Sequence, residues 1–405
     1  MAGLITLEDI RVAQRRLAGV AVRTGLYRVD AARLKATGFA ELPFELYVKA
    51  ENEQPIGSFK LRGAYNRIAQ LTAEELGRGV ITYSSGNHAQ GVAYAARALG
   101  AKAVIVMPDN APANKIDATK ALGAEVVLVG PASSERRAKA EEMAAAHGYA
   151  VIPPYDDPAI IAGQGTCGLE IVEQLGLVGR TDGSVEDGWE KGADGGGGSD
   201  ASGSFASLRM TAITGDAARE GERTVGERIR GELTEGLGAD VVILSPVSGG
   251  GLLGGISTAV KLACAEGRAE GASRRDGPRV QVWGAEPELA ADAKESFETK
   301  TLVEWTAART TRTISDGLRT QSLGVLNFEH ILRYVDGIVT VSEEEIVAAM
   351  RAMLAATGLV AEPSGAVTLA AALFHHAELP TCEKMVAVLS GGNIEPGMFA
   401  RVQIR

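Results

Sequence analysis

The sequence is poor in the residues that mark several classes of protein. Its 405 residues include only 3 cysteines, and 5% of the residues are aromatic. Cys167, Cys264 and Cys382 lie far apart, which excludes a disulfide framework and a cysteine metal cluster. We interpret them as small buried side chains of a protein from a reducing compartment.

A net positive charge and long apolar runs are also absent. The formal net charge is −10, whereas broad nucleic-acid binding requires a basic surface. No apolar run approaches the length of a membrane span, and no stretch resembles a signal peptide. These absences predict a cytoplasmic protein whose partner is a small molecule, with neither nucleic acid nor a membrane.

Glycine and aliphatic residues are abundant and indicate an α/β protein. There are 50 glycines, and 45% of the residues are hydrophobic. Short apolar segments alternate with helical patterns, which predicts parallel strands joined by right-handed crossovers. The predicted strands include residues 46–50, 79–83, 103–107, 125–129, 149–152, 240–245, 279–285 and 385–389, and the predicted helices include residues 5–19, 92–99, 113–122, 134–146, 163–175 and 343–357.

The composition changes abruptly after residue 180. Residues 181–204 are rich in glycine, serine and aspartate, with four consecutive glycines at 195–198. Such a segment buries too little apolar surface to order itself, so we expect a flexible surface insertion over about 181–238. Residues 222–233 carry a helical pattern within it. After the strand that ends near Ala285, we expect a mostly irregular polar stretch up to Ile314.

Lys60 is the first candidate for chemistry. It follows Gly57-Ser58-Phe59 and begins a helical pattern with Leu61 on its apolar face. A helix N-terminus favours the uncharged amine and binds anions, and an uncharged lysine attacks carbonyl groups. Most lysines at helix starts are solvated surface residues, so the interpretation depends on the other loops.

Three further loops follow predicted strands. Residues 84–91 are small and polar and predict a site for an anion such as a carboxylate. Within it, His88 is either catalytic or, as we favour, a structural hydrogen-bonding residue. Residues 248–255 predict a phosphate cradle at a helix N-terminus, and residues 390–393 follow the last strand.

The glycine loop has a competing interpretation. Gly249, Gly251 and Gly254 match the G-x-G-x-x-G pattern of dinucleotide-binding sites, and Glu286 ends the next predicted strand. The spacing is well beyond the roughly 20 residues of that fingerprint, and the expected N-terminal placement is missing. A dinucleotide-binding oxidoreductase is therefore a distant alternative.

Five motifs occur in one order: S-F-K-x-R-G-A, S-S-G-N-H, S-G-G-G-L-L-G-G, E-P-S-G-A and L-S-G-G-N. In these motifs the chain resembles the fold-type II pyridoxal-phosphate enzymes (tryptophan synthase β-like), especially their serine racemase and serine/threonine dehydratase branch. The resemblance covers nearly the whole chain except about 181–238. It implies two open, twisted parallel-sheet domains with the cofactor between them: a large domain of residues 1–79 and 152–405, and a small substrate-closing domain of residues 80–151.

The resemblance also implies roles for individual residues. Lys60 would hold pyridoxal 5′-phosphate covalently and abstract the substrate's α-proton. Ser390 would face the pyridine nitrogen, where a neutral hydroxyl suits β-elimination better than transamination. The cofactor-binding set would be Phe59, Lys60, Asn87, Ser248, Gly249, Gly250, Gly251, Leu252 and Ser390. The substrate-binding set would be Ser84, Ser85, Gly86, Asn87, His88 and, for a second carboxylate, Arg136.

Ser85 bears on the choice between two reactions. In serine racemases the serine at this place is the base on the cofactor face opposite the lysine, whereas many threonine dehydratases have alanine. Two catalytic bases, Lys60 and Ser85, would allow a proton to leave one face and return on the other. The alternative is a hydroxyl that only binds the substrate carboxylate.

The resemblance also implies a cation site after the predicted strand that finishes at Glu286. Glu286, the carbonyl of Ala290 and Asp292 match the racemase branch's pattern E-x-x-x-A-x-D. Oxygen ligands of this kind suit Mg²⁺ or Ca²⁺. The alternative is an exposed acidic turn.

The sequence therefore predicts a pyridoxal-phosphate-dependent ammonia-lyase. Its expected reaction is β-elimination from a β-hydroxy amino acid such as L-serine, L-threonine or 3-hydroxyaspartate, giving a 2-keto acid and ammonia. The first alternative is a serine racemase with elimination as a side activity. A β-replacement enzyme similar to cysteine synthase and a non-enzymatic amino-acid-binding relative remain open, and the resemblance suggests a homodimer.

Overall fold

The computed structural model describes residues 3–84, 86–111, 113–130, 133–179, 239–271 and 278–403, and all of these belong to one compact unit. Ser85, the predicted insertion and the predicted helix at 222–233 lie outside the described residues. Among the described helices, none combines the length and the apolar character needed to cross a membrane.

The described strands form two sheets. Six strands pair in the order β1-β2-β10-β7-β8-β9, and all the pairings are parallel except that of β1 with β2. Four strands form a separate parallel sheet in the order β5-β4-β3-β6. The strands are β1 Leu26–Arg28, β2 Glu45–Ala50, β3 Val80–Tyr83, β4 Ala103–Pro108, β5 Glu125–Val129, β6 Ala150–Val151, β7 Ala239–Pro246, β8 Val280–Pro287, β9 Gly337–Val341 and β10 Cys382–Leu389.

The helices of the described residues connect these strands and cover the sheets. They are α1 Leu7–Leu17, α2 Ala31–Ala36, α3 Lys60–Ile68, α4 Ala73–Arg78, α5 Asn87–Ala98, α6 Ala113–Ala121, α7 Ser133–His147, α8 Pro158–Gln174, α9 Gly251–Gly271, α10 Asp292–Thr299, α11 Ala307–Thr310, α12 Val325–Tyr334, α13 Glu343–Thr357, α14 Pro363–Phe374 and α15 Pro396–Gln403. The central strands are buried on both faces, as their continuous apolar runs require.

The four-stranded sheet uses the chain segment that was expected to form the small domain. Its strands begin at Val80 and end at Val151, and the six-stranded sheet uses strands from before and after that segment. The domain boundaries themselves stay a prediction. The parallel order places the ends of β2, β7, β8 and β10 at one edge of the larger sheet, so the loops that follow them meet there.

Several helices lie where the sequence predicted them. Helix α1 lies inside the predicted range 5–19 and begins after Thr6, whose side chain forms a capping box with Asp9. Helix α13 has the predicted bounds, and Ser342 caps its start in the same way. Helix α3 begins at Lys60 as expected.

The predicted start of α8 at Gly163 was wrong. The helix begins five residues earlier, at Pro158, and the Asp157 side chain accepts the backbone N–H of Ala159 and of Ile160. The glycines lie inside the helix because neighbouring helices approach closely. A Cβ on Gly163 would lie 2.6 Å from the carbonyl oxygen of Arg62.

The stretch before Ile314 is also more regular than predicted. It contains α10 over Asp292–Thr299 and the short α11. Further along, α12 and β9 form without having been predicted. Helix α12 was missed because its cap is non-local: Asp156, far away in sequence, accepts hydrogen bonds from its first N–H groups.

Candidate active site

The lysine loop is joined to the loop that follows β10. Ser58 and Gly391 form an antiparallel bridge, and the N–H of Phe59 donates to the carbonyl oxygen of Ser390 at 3.0 Å. Strands β2 and β10 are parallel neighbours, so their carboxyl ends deliver both loops to one place. Ser390 is buried beside the residue that precedes Lys60.

The amine of Lys60 has a pKa below its ordinary value. Its Nζ donates to the carbonyl oxygen of Pro154 at 2.9 Å and lies 5.1 Å from the centre of the Phe59 ring. Burial lowers the pKa of Lys60 to about 8. Part of the amine is therefore uncharged near neutral pH, as expected from the sequence, and the cause of the lowered pKa is burial.

The polar loop after β3 begins helix α5. The Oγ of Ser84 accepts the N–H of Gly86 at 3.3 Å, and Asn87 is the first residue of the helix. The His88 Nε2 lies 3.1 Å from the carbonyl oxygen of Ile152. Burial, together with the charge of Lys60, lowers the pKa of His88 to about 3, so the imidazole is neutral. Its ring connects the start of α5 to the chain just beyond β6.

The side chain of Asn87 is fixed at both ends. Its Nδ2 donates to Oε1 of Glu362 at 2.6 Å, and its Oδ1 accepts from Nδ2 of Asn393 at 2.8 Å. Glu362 is buried, and burial followed by the nearby charge of Asp316 raises its pKa to about 7. The amide of Asn87 therefore has one orientation, set by the loop between α13 and α14 and by the loop that follows β10.

The glycine loop between β7 and α9 leaves donors available. Among the described residues, the N–H groups of Gly249, Gly251 and Leu252 donate to no acceptor, whereas Gly250 donates to the carbonyl oxygen of Val247 at 3.0 Å. Ser248 adopts φ 53°, which is unusual for a residue other than glycine. Its Oγ donates to the carbonyl oxygen of Gly317 at 3.0 Å. The loop thus offers free N–H groups at a helix N-terminus, which bind anions.

Comparison with known proteins agrees with this geometry. The family described as "Pyridoxal-phosphate dependent enzyme" matches residues 26–189 and 200–391. The chain belongs to this family.

Two curated relatives are ammonia-lyases. The chain is 36% identical to the L-threonine ammonia-lyase of Thermotoga maritima over 98% of its own length and 78% of that protein's. It is 33% identical to the L-threo-3-hydroxyaspartate ammonia-lyase of Saccharomyces cerevisiae, over 88% and 85% of the two chains. The crystal structure of serine racemase from Dictyostelium discoideum superposes with a TM-score of 0.69 at 30% identity, covering 96% of this chain and 99% of that one. The fold is therefore that of the fold-type II pyridoxal-phosphate enzymes.

The residues of the site fit the family's cofactor. A half-buried amine with a lowered pKa suits a covalent bond to an aldehyde, and the free N–H groups of the glycine loop suit a phosphate. A Cβ on Gly249 would lie 2.6 Å from the ring of Tyr155, so the loop is glycine partly because an aromatic ring packs on it. No metal ion or dinucleotide is needed to explain these features.

The predicted cation ligands lie together at the end of β8. Glu286 is buried and its Oε1 accepts the N–H of Lys294 at 2.7 Å. Burial and the charge of Asp292 raise the pKa of Glu286 well above its usual range, and burial raises that of Asp292 to about 7. Oδ2 of Asp292 is buried and has no hydrogen-bond partner among the described residues, and Ala290 is also buried. The expected alternative of an exposed acidic turn is therefore wrong.

The described side chains contain no group of three or more histidine, cysteine, aspartate or glutamate residues able to hold a metal. The predicted set has two carboxylates and one carbonyl, so it falls below that number. Two buried carboxyl groups with raised pKa values fit a cation, because its charge would offset the cost of ionising them.

Ser85 and Arg136 are the remaining predicted site residues. Ser85 lies outside the described residues. Arg136 lies in the first turn of α7, half-buried, and burial lowers its pKa. Helix α7 follows β5, so its N-terminus lies at the same edge of the four-stranded sheet as Ser84, which follows β3.

Several residues of the site were not predicted to take part. Tyr155, Glu362, Asn393 and Asn327 all contact the loops described above. Glu362 and Asn393 stand inside two of the recognised motifs, which was an available signal. Tyr155 and Asn327 lie outside all five motifs, and only the fold brings them to the glycine loop.

Proposed function

We propose that this protein eliminates water from a β-hydroxy amino acid and releases a 2-keto acid and ammonia. The observation that carries the proposal is the half-buried amine of Lys60, with a pKa lowered to about 8, which follows directly on Phe59, whose N–H donates to the carbonyl oxygen of Ser390. The two ammonia-lyase relatives support it. L-Serine, L-threonine and 3-hydroxyaspartate are the proposed substrates.

Lys60 is the proposed base. When bound, pyridoxal phosphate withdraws electrons from the substrate's α-carbon and makes the α-hydrogen acidic. The Nζ of Lys60 takes this proton. Its lowered pKa leaves part of the amine uncharged near pH 8, so that it can act as a base. A proton returned to the β-hydroxyl lets it leave as water. Hydrolysis of the released enamine then gives the keto acid and ammonia.

Other residues orient the reacting groups. Ser390 would meet the pyridine nitrogen with a hydroxyl, which leaves that nitrogen mostly unprotonated and favours elimination over transamination. Asn87, fixed by Glu362 and Asn393, would bind the ring hydroxyl. The loop of residues 84–88 would bind the substrate carboxylate through N–H and hydroxyl donors. Arg136 would bind a second carboxylate in 3-hydroxyaspartate.

The test supplies the purified protein with pyridoxal phosphate, Mg²⁺ and L-serine, and follows pyruvate and D-serine in one reaction. Pyruvate without D-serine is the expected result, and L-threonine and 3-hydroxyaspartate are tested next. Lys60→Ala should abolish both the visible absorbance of the lysine-bound cofactor and the turnover. If that variant keeps both, the proposal is wrong.

Serine racemization is the second candidate function. Ser85 in the recognised S-S-G-N-H motif and the structural likeness to a serine racemase favour it. D-Serine formed at a rate comparable to pyruvate would establish it, and Ser85→Ala should then remove D-serine while pyruvate formation continues. Neither product from L-serine, but turnover after addition of sulfide or a thiol, would indicate β-replacement.

A divalent cation at Glu286, Ala290 and Asp292 is part of the proposal. The two buried carboxyl groups described above support it. Mg²⁺ or Ca²⁺ would stabilise the end of β8 and the start of α10. A homodimer and a cytoplasmic location remain predictions; light scattering of the purified protein tests the former.

A further inference from the structure

The carbonyl oxygen of Gly249 is held by two donors. It accepts Nδ2 of Asn327 at 2.7 Å and the N–H of Gly324 at 3.0 Å. On the other side of the same peptide, the N–H of Gly250 donates to the carbonyl oxygen of Val247. Both polar atoms of the Gly249–Gly250 peptide are thus bonded within the protein, so the peptide cannot rotate without breaking these bonds.

Helix α12, which carries Asn327, is anchored by Asp156. The Asp156 carboxylate accepts the N–H groups of Val325 and Leu326 at 3.0 Å and that of Asn327 at 3.2 Å. A carboxylate at a helix N-terminus is stabilised by the free N–H groups and the helix dipole. Asn327 is fully buried, so its side chain has little freedom to leave Gly249.

The segment that contains Asp156 also contacts the rest of the site. The carbonyl oxygen of Pro154 accepts the Lys60 amine, and the ring of Tyr155 packs against Gly249. Three consecutive residues therefore contact the lysine, the glycine loop and α12. Asp156 is therefore connected to Gly249 in two ways: through Asn327 of α12, and through its chain neighbour Tyr155.

We propose that Asn327 and Asp156 are positioning residues that hold the glycine loop in its phosphate-binding conformation. Asn327 acts through the carbonyl of Gly249, and Asp156 acts through α12. With the Gly249–Gly250 peptide fixed, the N–H groups of Gly249, Gly251 and Leu252 stay preorganised for the phosphate. The proposal rests on the family's cofactor and not on which reaction the enzyme performs.

The experiment compares two cofactors that differ only in the phosphate. The full-length chain, freed of cofactor, is titrated with pyridoxal phosphate and with pyridoxal, and the visible absorbance of the lysine-bound form gives the affinity for each. For Asn327→Leu we expect the ratio of the two affinities to fall about tenfold, as an oriented hydrogen bond and a preorganised loop are lost. Pyridoxal affinity should change less than twofold.

Two further variants separate the causes. Asn327→Asp keeps the side-chain volume but removes the amide donor and adds a charge, and it should lower the ratio in the same direction. Asp156→Ala removes the anchor of α12 without touching the glycine loop and should also lower it. Because Asp156→Ala leaves the buried amide in place, it carries the test if Asn327→Leu does not fold.

The matched control is Asn66→Leu. Asn66 is also buried, and its Nδ2 also donates to a backbone carbonyl, that of Ala159, at 2.7 Å. Its loss should lower the stability of the protein and leave the affinity ratio unchanged. An affinity ratio within twofold of that of the unaltered protein in the Asn327 and Asp156 variants would overturn the proposal, since their effect would then be structural only.

Discussion

Nδ2 of Asn87 lies 2.6 Å from Oε1 of Glu362, across 275 residues of sequence. The carboxyl group is buried, and Asp316 contributes a second negative charge nearby, which Lys115 partly offsets. Lys115 itself contacts Asp316. The residue proposed to bind the cofactor's ring hydroxyl is therefore oriented by a group that titrates near neutral pH.

This relationship predicts a pH dependence of stability. The pKa of Glu362 is about 7 in the folded protein against 4.5 for an ordinary glutamate, so the folded chain keeps a proton that the unfolded chain releases. The free energy of unfolding should fall as the pH rises from about 4.5 to 7, by an amount on the order of 3 kcal/mol from this group. In the Glu362→Gln variant, the free energy of unfolding measured with urea should not show this fall with pH.

The matched control for that prediction is Glu344→Gln, which changes an exposed carboxylate at the start of α13. Its unfolding profile should follow that of the unaltered protein. A Glu362→Gln profile with an unchanged slope between pH 5 and pH 7 would show that Glu362 ionises normally.

The Lys60 amine predicts the pH dependence of cofactor attachment. Burial lowers its pKa from 10.5 to about 8, and only the neutral amine attacks an aldehyde. The rate of attachment of pyridoxal to the cofactor-free chain should rise with pH and reach half its maximum near pH 8. A rate that continues to rise steeply above pH 9.5 would mean that the amine is not perturbed. Lys60→Arg, which cannot attach the aldehyde, gives the background.

The backbone conformation of Ser248 predicts which of two substitutions gives the more stable protein. Its φ of 53° disfavours any side chain, while its hydroxyl bonds to the carbonyl of Gly317. Ser248→Ala keeps the strain and loses the bond, which should cost about 1 kcal/mol of unfolding free energy. Ser248→Gly loses the bond but relieves a strain of about 1 kcal/mol. Chemical denaturation should therefore find the glycine variant at least as stable as the alanine variant, and the reverse order would contradict this.

The cation site predicts opposite effects of Asp292→Asn with and without metal. Without metal, burial raises the pKa of Asp292 to about 7, so the free energy of unfolding falls as the pH rises through 7. At pH 8 in a chelator, the variant should be more stable than the unaltered protein. With Mg²⁺ added, the melting temperature of the unaltered protein should rise by a few degrees while that of the variant does not. Glu288→Gln, an exposed carboxylate between the proposed ligands, is the control. A similar rise in the Asp292→Asn variant would place the cation elsewhere.

Elements with local signals were recognisable from the amino-acid sequence alone. The helices that begin after Thr6 and Ser342 are of this kind, because a capping residue bonds to the first turn of its own helix. The strand-to-helix loops at Lys60, Ser84 and Ser248 were recognisable because apolar runs, small residues and helical periodicity follow each other directly. Parallel pairing brings those loops to sheet edges, where the candidate site was expected.

The distant residues that complete that site are visible only in the folded protein. The bonds from Asn87 to Glu362 and from Asn327 to Gly249 join segments far apart in sequence, and no local pattern encodes them. Gly163 was predicted to start a helix but lies inside α8. Glycine is required there by the close approach of a neighbouring helix and not by the local backbone conformation. Burial likewise sets the pKa of Lys60, since the solvent around an amine depends on everything packed against it.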